Sequence, residues 1–238
     1  MVKFEENHLT CSKILSSLDR NQAKLQFHTV KSKALIFILL AFILNASGQK
    51  SSVASFWNLS CPEKWWVIGH PFVAGKAFKV TVEARAKSDS LVKNSLLDAD
   101  SFGGKVDAFR HAYWMARLAQ NMKWKKAVKL GIAHEKANQL SFKKMKVDEE
   151  GVLPDSISSV MDLFNNQIGV SIGCNYKSAS NDEIYNYVIK SLKEGKLKIV
   201  YKDMNRNDLD CDGKIVDKKD YLGKWNIPKC LVNSDFIY

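Results

Sequence analysis

No apolar stretch of this sequence reaches the roughly 20 residues that a helix needs to span a bilayer. The run at 34–44, ALIFILLAFIL, has eleven. The zinc-protease signature H-E-x-x-H is missing, because His134-Glu135 is followed by Lys136, Ala137 and Asn138, and a zincin reading falls with it. There is no C-x-x-C, which removes the common redox and zinc-ribbon motifs. The lysines are scattered, with no arginine run and no basic strand interleaved with aromatics, so no specific nucleic-acid partner is expected. Internal repeats and low-complexity tracts are also lacking, which argues against a solenoid or a disordered chain.

What is present points to export. The run at 34–44 follows Lys31 and Lys33 and precedes Ala46 and Gly48. That is the layout of a signal peptide: a basic flank, an apolar segment and small residues at the cleavage site. We therefore expect a signal segment at 1–48 and a mature chain from Gln49, located in the periplasm or outside the cell. Residues 1–29 are long and mixed in charge for such a leader. A start near residue 30, reading V-K-S-K, accounts for them; the alternatives are a long leader, an uncleaved membrane anchor or an intracellular protein. Membrane contact is expected only through this segment. The 238-residue chain carries a net charge of +11, and its first 48 residues hold six basic and three acidic side chains, so most of the excess follows Gln49. Such a surface favours anionic envelope components, or simply keeps the protein soluble.

Beyond Gln49 the pattern is mainly α. Apolar residues at helical spacing predict helices over 71–88, 105–121, 123–144, from Asp155 or Ser156 to about residue 173, and over 182–194. Leu197, Ile199 and Tyr201 then alternate with polar residues as a strand does, and the turn Asp212-Gly213 returns the chain into a second strand at 214–216. The expectation is a single orthogonal helical domain of about five helices at 49–238, with a motif core at 70–175 and a small β-hairpin within 196–238.

Three segments place polar groups on faces that should be apolar. Asp107, Arg110, His111 and Trp114 share one stripe of the second predicted helix; His134, Glu135 and Asn138 lie on the third; Asp162, Asn165, Asn166 and Gly169 share a stripe of the fourth. A buried polar group without a partner costs about 1–3 kcal/mol, so these sets should meet, and Gly131 and Gly169 would let their helices approach. Asp107, His111, His134, Asp162, Asn165 and Asn166 are candidate ligands for zinc or manganese. His134, Glu135, His111 and Arg110 are candidates for acid–base and electrostatic roles in hydrolysis. The competing reading is a buried hydrogen-bonded network that fixes helix packing.

The motifs DAFRHAYW, GIAHE and MDLFNNQIG, in that order, resemble an uncharacterised bacterial domain family found in exported proteins and at the ends of large secreted toxin-like proteins. The resemblance covers about residues 70–175 and implies a helical domain without implying an activity. A weaker likeness is to helical zinc-dependent phospholipases and nucleases, whose full ligand order is absent here.

Asp208, Asp210, Asp212 and Gly213 match the start of a calcium loop, but position twelve is Lys219 where a glutamate is expected; a polar turn is the other reading. Four cysteines follow Gln49, at positions 61, 174, 211 and 230, enough for two disulfides, with Cys61–Cys230 as one pairing that would tie the ends. The functional expectation is an exported hydrolase acting on an anionic envelope component, a phosphoester or a wall polymer. The alternative is a non-catalytic envelope binding or scaffold domain; a toxin-like effector is a third reading.

Overall fold

The structure is a computed structural model that describes residues 56–94, 97–145 and 153–237, all within one compact unit, Ser51–Tyr238. The apolar run at 34–44 and the expected cleavage point after Gly48 lie outside the described residues. Among the described residues no helix is long and apolar enough to cross a membrane.

Among the described residues six full α-helices precede a small β-layer: α1 Cys61–Gly69, α2 Pro71–Lys93, α3 Lys105–Asn121, α4 Trp124–Lys143, α5 Ser156–Asn175 and α6 Asn181–Lys193. The fold is mainly α, as expected. The sequence reading missed α1 and ended α2 five residues early. The start of α1 follows from Ser60 and Glu63, each of which accepts from the other's backbone N–H. Pro71 then opens α2, where its missing N–H costs nothing. The Asp155 carboxylate caps α5, accepting from the N–H groups of Ile157 and Ser158 at 2.9 Å.

Helix α3 is the centre. Twelve of its 17 residues are buried, and α2, α4, α5, α6 and the β-layer all pack on it. Its closest partner is α5, and glycine is the reason. A Cβ at Gly169 would stand 2.1 Å from the carbonyl oxygen of Ala112, and one at Gly173 would stand 2.1 Å from that of Ala116. The two helices therefore touch backbone to backbone and run in the same direction. Asp162 and Asn166 continue the Gly169–Gly173 stripe toward the start of α5, which brings them against the start of α3.

The β-layer differs from the expected hairpin in its pairing. Strand β1, Lys198–Val200, pairs antiparallel with β2, Leu231–Asn233, with Ile199 opposite Val232. The segment 214–216 makes only an isolated bridge, Leu209 with Ile215. The free edge of β1 is covered instead. Lys198 exchanges two hydrogen bonds of 2.9 Å with the Asn165 side-chain amide, and Val200 N–H donates to the carbonyl of Gly103 at 2.7 Å. A disulfide joins Cys211 to Cys230. The second expected bridge does not form: Cys61 and Cys174 are free thiols, and with Cys230 already paired, the Cys61–Cys230 tie is ruled out.

Candidate functional site

Asp107, His111 and Asp162 meet where the start of α3 faces the start of α5. All three are buried. One ligand atom from each lies within 4.8 Å of the others. His111 Nε2 stands 3.6 Å from Asp107 Oδ1 and 3.4 Å from Asp162 Oδ1. The other ring nitrogen, Nδ1, lies 3.3 Å from Asn166 Oδ1. With the amide oriented this way Nδ1 carries the hydrogen, and the Nε2 lone pair faces two carboxylates. Burial, followed by the positive charges of Arg110 and His134, pushes the His111 pKa well below its ordinary value. Burial also raises the Asp107 carboxyl, against the lowering effects of Arg110 and of the Gly103 N–H.

Asp107 is tightly held. Oδ2 accepts from Gly103 N–H at 2.7 Å and Oδ1 accepts from Arg110 Nη2 at 2.7 Å. Arg110 is also a wall of a cleft of about 700 Å3 beside α2, where it joins Arg85 and Lys93; the lining includes one carboxylate, Asp89. The cleft is therefore cationic and suits an anion.

Helix α4 contributes Glu135 and His134. Glu135 is buried; its Oε2 accepts from Asn138 Nδ2 at 3.2 Å. Its Oε1 makes no hydrogen bond of ordinary geometry, although the Ser159 hydroxyl is close enough to act on its charge. Burial raises the Glu135 pKa, and the Asp107 charge adds to the rise, while His134 opposes it. His134 turns the other way, placing Nδ1 3.1 Å from Glu63 Oε1 and packing 5.6 Å from the Trp114 ring and 6.0 Å from the His111 ring, centre to centre. Burial alone would depress its pKa. The bond to Glu63 and the charges of Glu135 and Glu63 outweigh that, and the net movement is upward. Gly131 matters here as well: a Cβ there would come within 3.1 Å of Asn166 Nδ2, so the glycine leaves room for the amide that orients His111.

Of the residues singled out in the sequence, Asp107, Arg110, His111, Asp162, Asn166, Glu135 and His134 thus come together around the crossing of α3, α4 and α5. Asn165 does not. Both atoms of its side-chain amide are committed to the backbone of Lys198, because residues 165 and 166 point about 100° apart on a helix. The Asp208, Asp210 and Asp212 set is dispersed. Asp208 lies 3.0 Å from Lys229 Nζ and 3.4 Å from Lys218 Nζ, and Lys229 Nζ also sits 2.7 Å from Asp155. Asp210 Oδ1 accepts from the N–H groups of Asp212 and Lys214 at 2.9 Å. Ammonium groups stand where a calcium ion would, and the turn reading describes this segment. Sequence reasoning missed Glu63, Arg85 and Lys93. Glu63 carried a signal, since Ser60-x-x-Glu63 before an apolar run marks a helix start; its second partner, 71 residues away, carried none.

A family model described as a domain of unknown function (DUF6973) matches residues 64–196, more than half of the chain. The match extends beyond the span of the resemblance noted from the motifs and, like it, names no activity. No curated protein and no solved structure matches the chain.

Proposed function

We propose, from the premise that the chain belongs to the DUF6973 family, that Asp107, His111 and Asp162 form a metal-dependent hydrolytic centre in an exported protein, acting on a phosphoester of an anionic envelope component. The observation that carries this reading is the His111 Nε2 lone pair facing two buried carboxylates at 3.4 and 3.6 Å. Three acceptors around one point repel one another unless a cation or a shared proton lies between them. Ligand atoms about 2.1 Å from a tetrahedral zinc stand about 3.4 Å apart, which the two His111 distances match. The Asn166 oxygen behind Nδ1 matches the way a metal-bound imidazole is usually oriented by a carbonyl acceptor. Bound there, the metal would supply an activated water at neutral pH.

The remaining roles belong to side chains of this chain. Glu135, buried and with a raised pKa, is suited to accept a proton. His134, oriented by Glu63, is suited to give one to a leaving oxygen. Arg110, Arg85 and Lys93 line the cleft and would orient the anionic part of the substrate. The Cys211–Cys230 disulfide supports an oxidising compartment.

A second reading has its own support. Gly103 and Arg110 occupy both oxygens of Asp107, as a purely structural clamp at a helix start would have them. One experiment separates the two. Metal content, melting temperature and phosphodiester hydrolysis are measured for the purified chain and for Asp162→Asn. The catalytic reading expects about one equivalent of zinc or manganese, lost in the variant together with at least 100-fold of the activity. Metal-free wild type, with a variant destabilised by about 1–3 kcal/mol, would establish the structural reading instead.

A further inference from the structure

We infer that the corner formed by α1, the start of α2 and the start of α4 is a docking surface for an anionic lipid bilayer. Four large apolar side chains stand out of this corner: Trp65, Ile68, Phe72 and Trp124 are 68, 52, 95 and 49% exposed. They belong together in space because α1 lies antiparallel along α4. Glu63 contacts His134 at one end and Trp66 Nε1 donates to Lys126 O at 3.0 Å toward the other. The end of α1, the α1–α2 joint at His70 and the first turn of α4 therefore share one corner. Trp66 explains the arrangement: it is buried and pins α1 to α4, which leaves its neighbour Trp65 facing outward.

Charge complementarity identifies the occupant. From residue 64 to 82 and from 108 to 134 the sequence has no Asp or Glu. Lys76, Lys79, Lys123, Lys125 and Lys129 are exposed along these stretches. Exposed aromatics and exposed lysines on stretches of sequence without acids are what an interface of anionic headgroups over acyl chains accepts. Tryptophan in particular suits the boundary between headgroup and chain. The shape agrees. Phe72, almost fully exposed, protrudes at the helix–helix joint, where a protein partner would need a matching hollow; a fluid bilayer needs none. The inference does not depend on the metal reading, although Glu63 of α1 ties the corner to His134.

The test compares variants of the full chain, so that any binding by the apolar run at 34–44 is common to all of them. Vesicles of phosphatidylcholine, with and without one quarter phosphatidylglycerol, are sedimented with the wild type. The same is done with Trp65→Ala/Phe72→Ala/Trp124→Ala and with Lys76→Glu/Lys79→Glu/Lys123→Glu/Lys125→Glu. A control carries the same charge change elsewhere, Lys190→Glu/Lys193→Glu/Lys214→Glu/Lys219→Glu. The expected result is a loss of at least about tenfold in binding to the phosphatidylglycerol vesicles for the first two variants. The control should stay within about twofold, and all variants should keep the wild-type melting temperature and metal content. Equal losses in the test and control lysine sets would mean that only net charge matters, and would overturn the inference. So would an aromatic variant that binds like wild type. A lipid-free shift of that variant from dimer to monomer would also overturn it, by making the corner a contact between copies of the chain.

Discussion

Glu63 and His134 sit 3.1 Å apart, and their pKa values move in opposite directions. Burial works against the ionised form of Glu63, but the bonds to His134 and Ser60 hold it below its ordinary 4.5; His134 is held above 6.5. The histidine binds its proton more tightly in the folded chain, so its contribution is complete below pH 6.5 and is lost as pH rises through the raised folded value. The glutamate contribution is complete above pH 4.5 and is lost as pH falls through the lowered one. The pair therefore stabilises most between those limits. Removing the charge with Glu63→Gln should cost on the order of 1 kcal/mol more near pH 6 than near pH 9, measured by urea unfolding at both. The capping bonds that the same change disturbs do not titrate in that window, so an equal cost at both pH values would show that the ion pair contributes nothing. The sequence could not resolve this scale fully. It placed Asp107, His111, Asp162 and Asn166 on facing stripes, since helical spacing fixes which residues share a side. It could not separate Asn165 from Asn166, whose roles depend on where β1 lies, nor give Glu63 a partner in a distant helix.

Helix α5 meets α3 without side chains between them, while Gly75 in α2 has nothing within 4 Å of where its Cβ would be. Two glycine-to-alanine changes, both within helices, should therefore have opposite signs. Gly169→Ala places a methyl against a backbone carbonyl that cannot move aside and should destabilise by about 3 kcal/mol. It should also weaken any metal binding, because Asp162 and Asn166 lie on the same stripe. Gly75→Ala should stabilise by roughly 0.5–1 kcal/mol. Thermal melts of both variants suffice, and a Gly169→Ala chain as stable as wild type would contradict the packing described. Elements with clear punctuation were legible in the sequence: Gly103-Gly104 before α3 and Asp155 before α5. Helix α1 was not, because Trp65 and Ile68 face outward and Trp66 faces inward, so the segment shows no apolar stripe on one side. The partner of β1 was also illegible, since three residues, Leu231–Asn233, are too few for a period to appear.

For the molecule as a whole, two chemical measurements address export and redox state together. N-terminal sequencing by mass spectrometry of protein recovered outside the cytoplasm should begin at Gln49, after the small residues Ala46 and Gly48. A start at Met1 or beyond Trp57 would remove the signal-peptide reading. Alkylation under native, non-reducing conditions should block Cys61, which is exposed, and spare Cys211 and Cys230, which are joined; after unfolding and reduction the remaining cysteines beyond Gln49 should react. Four reactive thiols without reduction would place the protein in a reducing compartment. The mainly α architecture was legible at this scale because most of the core comes from helices with regular apolar spacing. Which cysteines pair was not, because that depends on the return of residues 209–231 across the β-layer.

The way β1 is closed off has a consequence for behaviour in concentrated solution. A two-stranded sheet normally leaves backbone groups open to a strand from another molecule, the first step toward amyloid-like association. Here the Asn165 amide imitates a neighbouring strand at Lys198, and the Gly103 carbonyl does so at Val200. Replacing Asn165 with leucine would strip that imitation away and leave an adhesive rim, so the variant should gather into thioflavin-positive aggregates at concentrations where the parent chain stays dispersed.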